Sequence, residues 1–129
     1  MEPDGTPGFG YVPGRHVIDA YGRGGFRFAD MSHRGSILAL PSGIQAWPVA
    51  EMGELTLDAF RLALAELPAI DFLIVGTGPE LVRLPPRIRE RLNEAGISVD
   101  EMQTAAAART YNILVAEGRR AGAALIAVT

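Results

Sequence analysis

Residues 70–78 read IDFLIVGTG, and this segment is the strongest indication of the fold. Its first six residues are apolar except for Asp71, and Gly76 ends the run. A nearly continuous apolar run of this length is typical of a strand that is buried on both faces of a parallel sheet. A second run of the same kind covers residues 123–128, so we expect these two runs to be central strands.

Between the two runs the pattern alternates between helix and strand. Pro85 and Pro86 open a helix that Gly96 ends, since proline is favoured in the first helical turn and glycine just past the last. Residues 97–99 follow as a short strand, and a helix over 104–117 precedes the second apolar run. This order of elements predicts parallel strands that are joined by crossovers.

The first half of the chain has the short apolar segments and closely spaced turn residues of antiparallel strands. We expect strands over residues 17–21, from Phe26 to Met31, over 35–40 and over 44–49. Their close spacing predicts an antiparallel meander.

The segment after this meander predicts a helix over residues 57–67. Thr56 has the side chain of an N-cap residue, and Pro68 ends the helix. Apolar residues recur at helical spacing, namely Leu57, Phe60, Leu64 and Leu67. Altogether the pattern predicts an α/β fold in which N-terminal antiparallel strands are followed by βαβαβ crossovers with a partly parallel sheet.

The composition excludes several classes of function. The 129-residue chain has no cysteine, which excludes disulfides, thiolate zinc sites and a cysteine nucleophile. All twelve basic residues are arginine, so Schiff-base chemistry and P-loop phosphate binding, which need a lysine amine, are excluded as well. The net charge of −3 provides no overall positive field, so we expect no nucleic-acid partner.

The N-terminal segment contains several prolines and glycines. We expect residues 1–8 to form a flexible leader and residues 9–129 to form a single domain. The leader has no basic segment followed by an apolar stretch, which predicts that it is not a secretory signal. No apolar run approaches the roughly 18 residues that span a bilayer. We therefore expect a cytoplasmic protein without membrane insertion.

The loop Gly76-Thr77-Gly78-Pro79 is the first candidate site. Ligands of open α/β sheets bind outside the carboxyl ends of the strands, where a glycine-rich loop can present backbone N–H groups to an anion. The alternative is a tight strand exit without a ligand. A dinucleotide fingerprint is excluded, because Leu81 occupies the position of its third glycine.

A second group of polar residues surrounds the start of the last helix, and it consists of Asp100, Thr104, Arg109, Thr110 and Asn112. We expect Asp100 at the carboxyl end of a strand, so this group could share a rim with Thr77. The alternative is structural: Asp100 or Thr104 caps the helix, and Arg109 lies on the surface. In that case Asn112 is partly buried and hydrogen-bonds to neighbouring backbone.

No catalytic residue, metal site or cofactor is predicted. His16 and His33 have no carboxylates at metal-ligand spacing around them, and we expect each to be a surface or hydrogen-bonded histidine. The basic run from Arg83 to Arg91 is interspersed with glutamates, which predicts a solvated helix face.

Several segments taken together resemble one known family. They are Gly25-Phe26, Gly35-Ser36-Ile37-Leu38, Trp47-Pro48, Val75-Gly76-Thr77-Gly78 and the more specific pattern T-x3-A-x-TYN-x-L-x2-EGR over 104–119, followed by Ala123-Ala124-Leu125-Ile126. Over about residues 9–128 the chain resembles the Mth938-like family of domains of unknown function, which includes a mitochondrial complex I assembly factor. The resemblance implies a three-layer β/β/α fold and a role that depends on protein contacts.

Two functions are therefore expected from different classes. The first is a non-enzymatic interaction or assembly protein with a protein partner of unknown identity. The second is a small-molecule- or anion-binding protein, or an enzyme, that uses the rim near Thr77, Gly78, Asp100 and Arg109.

Overall fold

The computed structural model describes residues 11–129, so the predicted leader at 1–8 lies outside the described residues. Over this range the strands are β1 (Tyr11–Pro13), β2 (Ala20–Gly22), β3 (Gly25–Phe28), β4 (Met31–Arg34), β5 (Ile37–Leu40), β6 (Gly43–Ala46), β7 (Phe72–Gly76), β8 (Ser98–Met102) and β9 (Ala121–Leu125). The helices are two 3₁₀ turns (Met52–Glu54 and Leu57–Phe60), α1 (Arg61–Ala65), α2 (Pro86–Glu94) and α3 (Thr104–Ala116).

The main sheet has six strands in the order β1-β6-β5-β9-β7-β8. Strand β7 pairs in parallel with both β8 and β9, whereas the pairs β9–β5, β5–β6 and β6–β1 are antiparallel. Strands β7 and β9 overlap the two apolar runs, although β9 begins two residues before its run and ends at Leu125, and each of these strands has a neighbour on both sides. The predicted α/β fold with a partly parallel sheet is confirmed, and so is the central position of these strands.

The main sheet buries a separate core on each face, because successive side chains of a strand alternate between the faces. Leu73 and Val75 belong to the core beneath α1 and α2, whereas Ile74 belongs to the core beneath α3 and a second, smaller sheet. Leu73 and Leu125 are both fully buried, as predicted, but they lie in different cores. The fold therefore has three layers, with the main sheet in the middle.

The smaller sheet consists of β2, β3 and β4, which are antiparallel neighbours in that order. Two-residue turns at Arg23-Gly24 and Ala29-Asp30 join them, and all four turn residues have positive φ, as type I′ hairpin turns require. Phe26 and Phe28 are only 2% exposed and contribute to the core beneath this sheet.

The prediction of one strand from Phe26 to Met31 is wrong, because the chain reverses at Ala29-Asp30. Ala29 adopts the left-handed region, which an alanine rarely does, so the sequence contains little sign of this turn. The predicted meander is likewise divided: β2–β4 form their own sheet, and β5 and β6 join the main one.

The prediction of a helix over 57–67 is also wrong in its extent. A 3₁₀ turn precedes the five-residue α1, the Thr56 side chain makes no capping hydrogen bond, and Leu67 is 84% exposed. Helix α1 ends before Glu66, whose carboxylate accepts hydrogen bonds from the backbone N and the Oγ of Ser42, at 2.9 and 2.7 Å. A tertiary contact to the β5–β6 turn thus takes the place of the last predicted helical turn.

Helices α2 and α3 begin and end close to their predicted limits. Apolar spacing predicts an inner face of Ile88, Leu92 and Ala95 on α2, and one of Ala107, Tyr111 and Leu114 on α3. All of these residues are buried except Ala95, which is exposed because α2 ends there. Within residues 11–129, no helix has the length and the apolar character needed to cross a bilayer.

Candidate functional site

The six residues predicted to form a site lie in separate places. Thr77, Gly78 and Thr104 meet where β7 and β9 end and α3 begins, and we call these three residues the rim junction. Asn112 lies further along α3 and contacts Ile18. The remaining two, Asp100 and Arg109, are exposed. The structure therefore brings three of the six together.

Thr104 is the centre of the rim junction and is fully buried. Its hydroxyl accepts a hydrogen bond from the backbone N of Gly78 at 2.9 Å and donates one to the backbone O of Ile126 at 2.7 Å. The backbone N of Thr104 also donates to the backbone O of Gly78 at 2.9 Å. Thr104 thus ties α3 to the ends of both central strands, and it does not act as the predicted side-chain cap.

Gly76 allows α3 to start this close to the sheet. A Cβ at this position would lie 2.9 Å from Leu125 Cδ2 and 3.0 Å from Thr104 Oγ1. A side chain at 76 would therefore require Leu125 Cδ2 to move and would crowd the start of α3 at Thr104. The glycine that ends the apolar run is explained by this close approach.

Thr77 organises the loop that follows β7. Its hydroxyl donates to the backbone O of Glu80 at 2.5 Å and accepts from the backbone N of Val82 at 3.1 Å, while its own backbone N donates to the O of Met102 at 2.9 Å. The backbone N–H groups of Thr77 and Gly78 are therefore both engaged within the protein. An anion at this loop would have to displace those contacts, and the rim as a ligand site stays a prediction.

Asp100 and Arg109 do not join the rim junction through any hydrogen bond or ion pair between described residues. Asp100 lies in the middle of β8, opposite Ile74, and not at the carboxyl end of its strand as predicted. Strand β8 extends to Met102, three residues beyond the predicted end. Arg109 is exposed on α3, as the structural alternative expected.

The longer β8 carries Glu101, a buried carboxylate that the sequence analysis missed. Its side chain is 1% exposed, pairs with Arg89, lies 3.6 Å from Arg83 Nη1, and accepts a hydrogen bond from the backbone N of Leu84 at 2.8 Å. Burial alone would raise the pKa of Glu101, but the hydrogen bonds from Arg89 and Leu84 outweigh it and lower the pKa. The predicted solvated face of α2 is wrong at Arg89, which ties α2 to β8.

Asn112 confirms the structural alternative. Its Oδ1 accepts from the backbone N of Ile18, and its Nδ2 donates to the backbone O of the same residue, both at 2.8 Å. The side chain is partly buried. These two hydrogen bonds attach the segment before β2 to α3, as a neighbouring strand would. They thereby connect the smaller sheet to the rest of the fold.

The outer face of the smaller sheet forms a groove that the sequence analysis did not identify. Its volume is about 630 Å³, and none of its lining residues is acidic. We call it the basic groove and define it by Gly22, Arg23, Gly25, Arg27, Ser32 and Arg34. Three arginines within fifteen residues of sequence were a visible signal, but the hairpins that place them on one face were not predicted.

The positive charge of the basic groove comes from its arginines and not from the neighbouring histidine. His33 is 5% exposed and belongs to β4, and burial lowers its pKa. It is therefore neutral at physiological pH. Its burial contradicts the surface alternative of the sequence analysis.

A second groove, of about 430 Å³, lies between the 3₁₀ turn at 57–60 and α2. Leu55, Leu57, Pro85 and Ile88 supply its apolar lining. Its charged residues are Arg87, Glu90, Arg91 and Glu94, so both signs are equally represented. This groove has no net charge and is a natural reference for the basic groove.

Solved structures of known proteins share this architecture and define the class of the fold. The chain is 51% identical to a Bartonella henselae protein described as an outer membrane protein, with a TM-score of 0.87 over 92% of this chain and 99% of the other. A Mth938-like domain of Bordetella pertussis is 32% identical, with a TM-score of 0.77 over 87% of this chain and 85% of the other. The fold is thus the Mth938-like fold.

The sequence profile described as protein of unknown function (DUF498/DUF598) matches residues 18–126, and the chain belongs to this family. An uncharacterized protein of Rhodobacter capsulatus is 39% identical over 93% of this chain and 89% of its own length. NADH dehydrogenase (ubiquinone) 1 alpha subcomplex assembly factor 3 of Mus musculus is 35% identical over 84% of this chain. The matched part is 59% of the length of the mouse protein.

Proposed function

We propose that this chain is a non-enzymatic interaction protein of the assembly-factor type, which binds a protein partner and promotes its incorporation into a larger complex. The observation that carries this proposal is the similarity to assembly factors over 84% of the chain. The family profile, which covers 18–126, includes both central strands and the residues of the rim junction and the basic groove.

The arrangement of polar groups supports a binding role. At the rim junction the hydroxyls of Thr77 and Thr104 and the N–H of Gly78 hydrogen-bond to other parts of the chain, so these groups serve the fold. The polar groups of the basic groove, by contrast, lie on an exposed sheet face. Exposed charged groups of this kind steer and orient a partner.

Deletion of the gene in the native host tests the proposal. We expect the amount of one assembled multi-subunit complex to fall several-fold, while the synthesis of its subunits stays unchanged and their unassembled forms accumulate. The respiratory NADH dehydrogenase is the first complex to measure, by native electrophoresis and immunoblotting, because the named relatives are its assembly factors.

Complementation with the wild-type gene must restore the amount of the complex, so that its loss can be attributed to the deleted gene. Unchanged levels of NADH dehydrogenase and of every other complex resolved on the native gel would overturn the assembly role. Turnover of a substrate by the purified chain would overturn its non-enzymatic character.

We further propose that the chain acts in the cytoplasm, where subunits await assembly. Fractionation of the native host, followed by immunoblotting, should recover the chain with cytoplasmic markers. Recovery with outer-membrane markers, as the description of the Bartonella henselae relative suggests for that protein, would refute this location.

A further inference from the structure

We propose that the basic groove binds an extended, acidic segment of the protein partner, with carboxylates at alternate positions facing Arg27 and Arg34. The nature of the partner rests on the proposed function, whereas the groove and its charge are independent of it. The charge of the groove, its shape and the spacing of its arginines support this proposal.

The charge of the groove is opposite to that of the whole chain. The chain has a net charge of −3, yet the groove is lined by Arg23, Arg27 and Arg34 and by no acidic residue. Within residues 11–129, no aspartate or glutamate lies within ion-pair distance of these arginines. A local positive surface on an acidic protein favours a partner with negative charge.

The floor of the groove is made of small residues. Gly22 and Gly25 are cross-strand neighbours, and a Cβ at Gly25 would collide with the carbonyl oxygen of His33. Ala20 is the next small residue on the same face. Because Ala20 and Gly22 of β2 are small, the sheet face beside them is open to a backbone that lies against it, and Tyr21 and the arginines also line the groove.

The strand register sets the spacing of the arginines. Gly25 pairs with Arg34, and Arg27 pairs with Ser32, so the two arginines stand on adjacent rows of the same face. Because Arg27 lies on β3 and Arg34 on β4, they are diagonal neighbours about 7–8 Å apart, which is close to the distance of about 7 Å between alternate side chains of an extended peptide. The guanidinium of Arg27 is held by a 2.6 Å hydrogen bond from Nη1 to Ser32 Oγ, and its remaining donors can bind a carboxylate.

Three octapeptides with a fluorescent label test the proposal by anisotropy titration at low ionic strength. The first alternates glutamate and serine, the second has the same composition with its four glutamates in one block, and the third replaces every glutamate of the first with glutamine. We expect the alternating acidic peptide to bind most tightly, the block peptide more weakly and the glutamine peptide not at all. Added salt should weaken binding.

The variant Arg27→Ala/Arg34→Ala should weaken binding of the alternating peptide by about tenfold, because each exposed arginine–carboxylate pair accounts for a few-fold. The matched control is Arg87→Ala/Arg91→Ala, which removes the same charge from the second groove and should leave the affinity unchanged. Amide shifts caused by the peptide in an NMR spectrum should fall within residues 20–34.

Several results would overturn the proposal. These are an absence of saturable binding by the wild-type chain, equal affinity of the groove variant, or shifts located elsewhere. A DNA duplex or phosphatidylglycerol vesicles could bind the chain more tightly than the acidic peptide does. If the variant Arg27→Ala/Arg34→Ala lost that binding, the ligand of the groove would be a phosphate-bearing partner and not a protein segment.

Complementation separates this proposal from the proposed function. Suppose that the deletion lowers the amount of an assembled complex and that the gene for the groove variant restores this amount fully. The groove is then not the contact surface, but the assembly role stands. If the deletion lowers no complex, the assembly role fails, while the peptide titration still decides whether the groove binds acidic segments.

Discussion

The rim junction and the basic groove are built from similar elements but differ in where their polar groups point. Each contains glycine next to strand ends, namely Gly78 at the rim junction and Gly22 and Gly25 at the basic groove, and each contains side chains that can bind anions. At the rim junction the donors and acceptors meet one another in the interior: Gly78 N donates to Thr104 Oγ1, which donates to Ile126 O. At the basic groove the arginines face solvent.

A glycine-rich loop after a strand is therefore not in itself a ligand site. What matters is whether its backbone N–H groups already have partners, since nearly every buried backbone group must have one. Changes at the rim junction should therefore affect stability, and changes at the basic groove should affect binding. Five predictions test that contrast.

The largest loss of stability is expected from Leu125→Ala, because Leu125 is fully buried beside the rim junction. Truncation of a buried leucine leaves a cavity and costs about 2–5 kcal/mol. Denaturant melts would measure the change, with the exposed Leu67→Ala as the matched control. A loss below about 1 kcal/mol would show that the strand ends are not part of the core.

Thr104→Val removes the hydroxyl at the centre of the rim junction while keeping its shape. Gly78 N and Ile126 O then lose their buried partner, and each unsatisfied group costs about 1–3 kcal/mol, so we expect a loss of about 2–4 kcal/mol. The control Thr56→Val changes an exposed threonine without a capping bond and should be neutral. Normal stability combined with altered ligand or partner binding would reverse the contrast and favour the rim as a functional site.

Glu101→Gln removes the carboxylate that holds the loop after the rim junction. Hydrogen bonds to charged groups contribute about 1.5–3 kcal/mol, so a loss of about 1–3 kcal/mol is expected near neutral pH. The folded pKa of Glu101 is lowered from 4.5, so its stabilisation is present above that value and lost as the pH falls through the folded pKa. The difference in the free energy of unfolding between wild type and variant should therefore shrink in that acidic range. A difference that does not depend on pH would contradict this role of the Glu101 carboxylate. The exposed Glu90→Gln is the control.

Asn112→Ala removes both hydrogen bonds to Ile18 and should cost about 1–3 kcal/mol. This contact joins α3 to the segment before β2 and does not involve a residue of the basic groove. The chain should therefore still bind the acidic peptide at a saturating concentration. Thermal melts and the peptide titration would be measured on the same sample, with the exposed Asn93→Ala as control. Unchanged melting with lost binding would make Asn112 a functional contact.

The smallest change in stability is expected from Arg27→Ala/Arg34→Ala. Both arginines are exposed, and surface substitutions of this kind usually change stability by less than about 0.5 kcal/mol. Denaturant melts would check this. A loss of more than about 1 kcal/mol would show that the arginines hold the smaller sheet together, and the contrast between the two regions would fail.

The central part of the fold could be predicted from the sequence. The runs at 70–75 and 123–128 are too apolar to lie anywhere but in the interior, and the helices between them follow from proline, glycine and apolar spacing. The inward position of Tyr111 and the partial burial of Asn112 also followed from helical geometry, because each depends only on where the residue lies around the one helix α3.

The tertiary structure decided which polar groups meet. Asn112 binds a residue 94 positions away, Thr104 binds one 26 positions away, and Glu101 is buried only because Arg89 and Leu84 come to it from another element. The same holds for the basic groove, whose arginines share a face because the chain reverses at Ala29-Asp30. Local patterns of sequence report on the faces of one strand or helix, whereas hydrogen-bond partners depend on register and on the order of strands in the sheet.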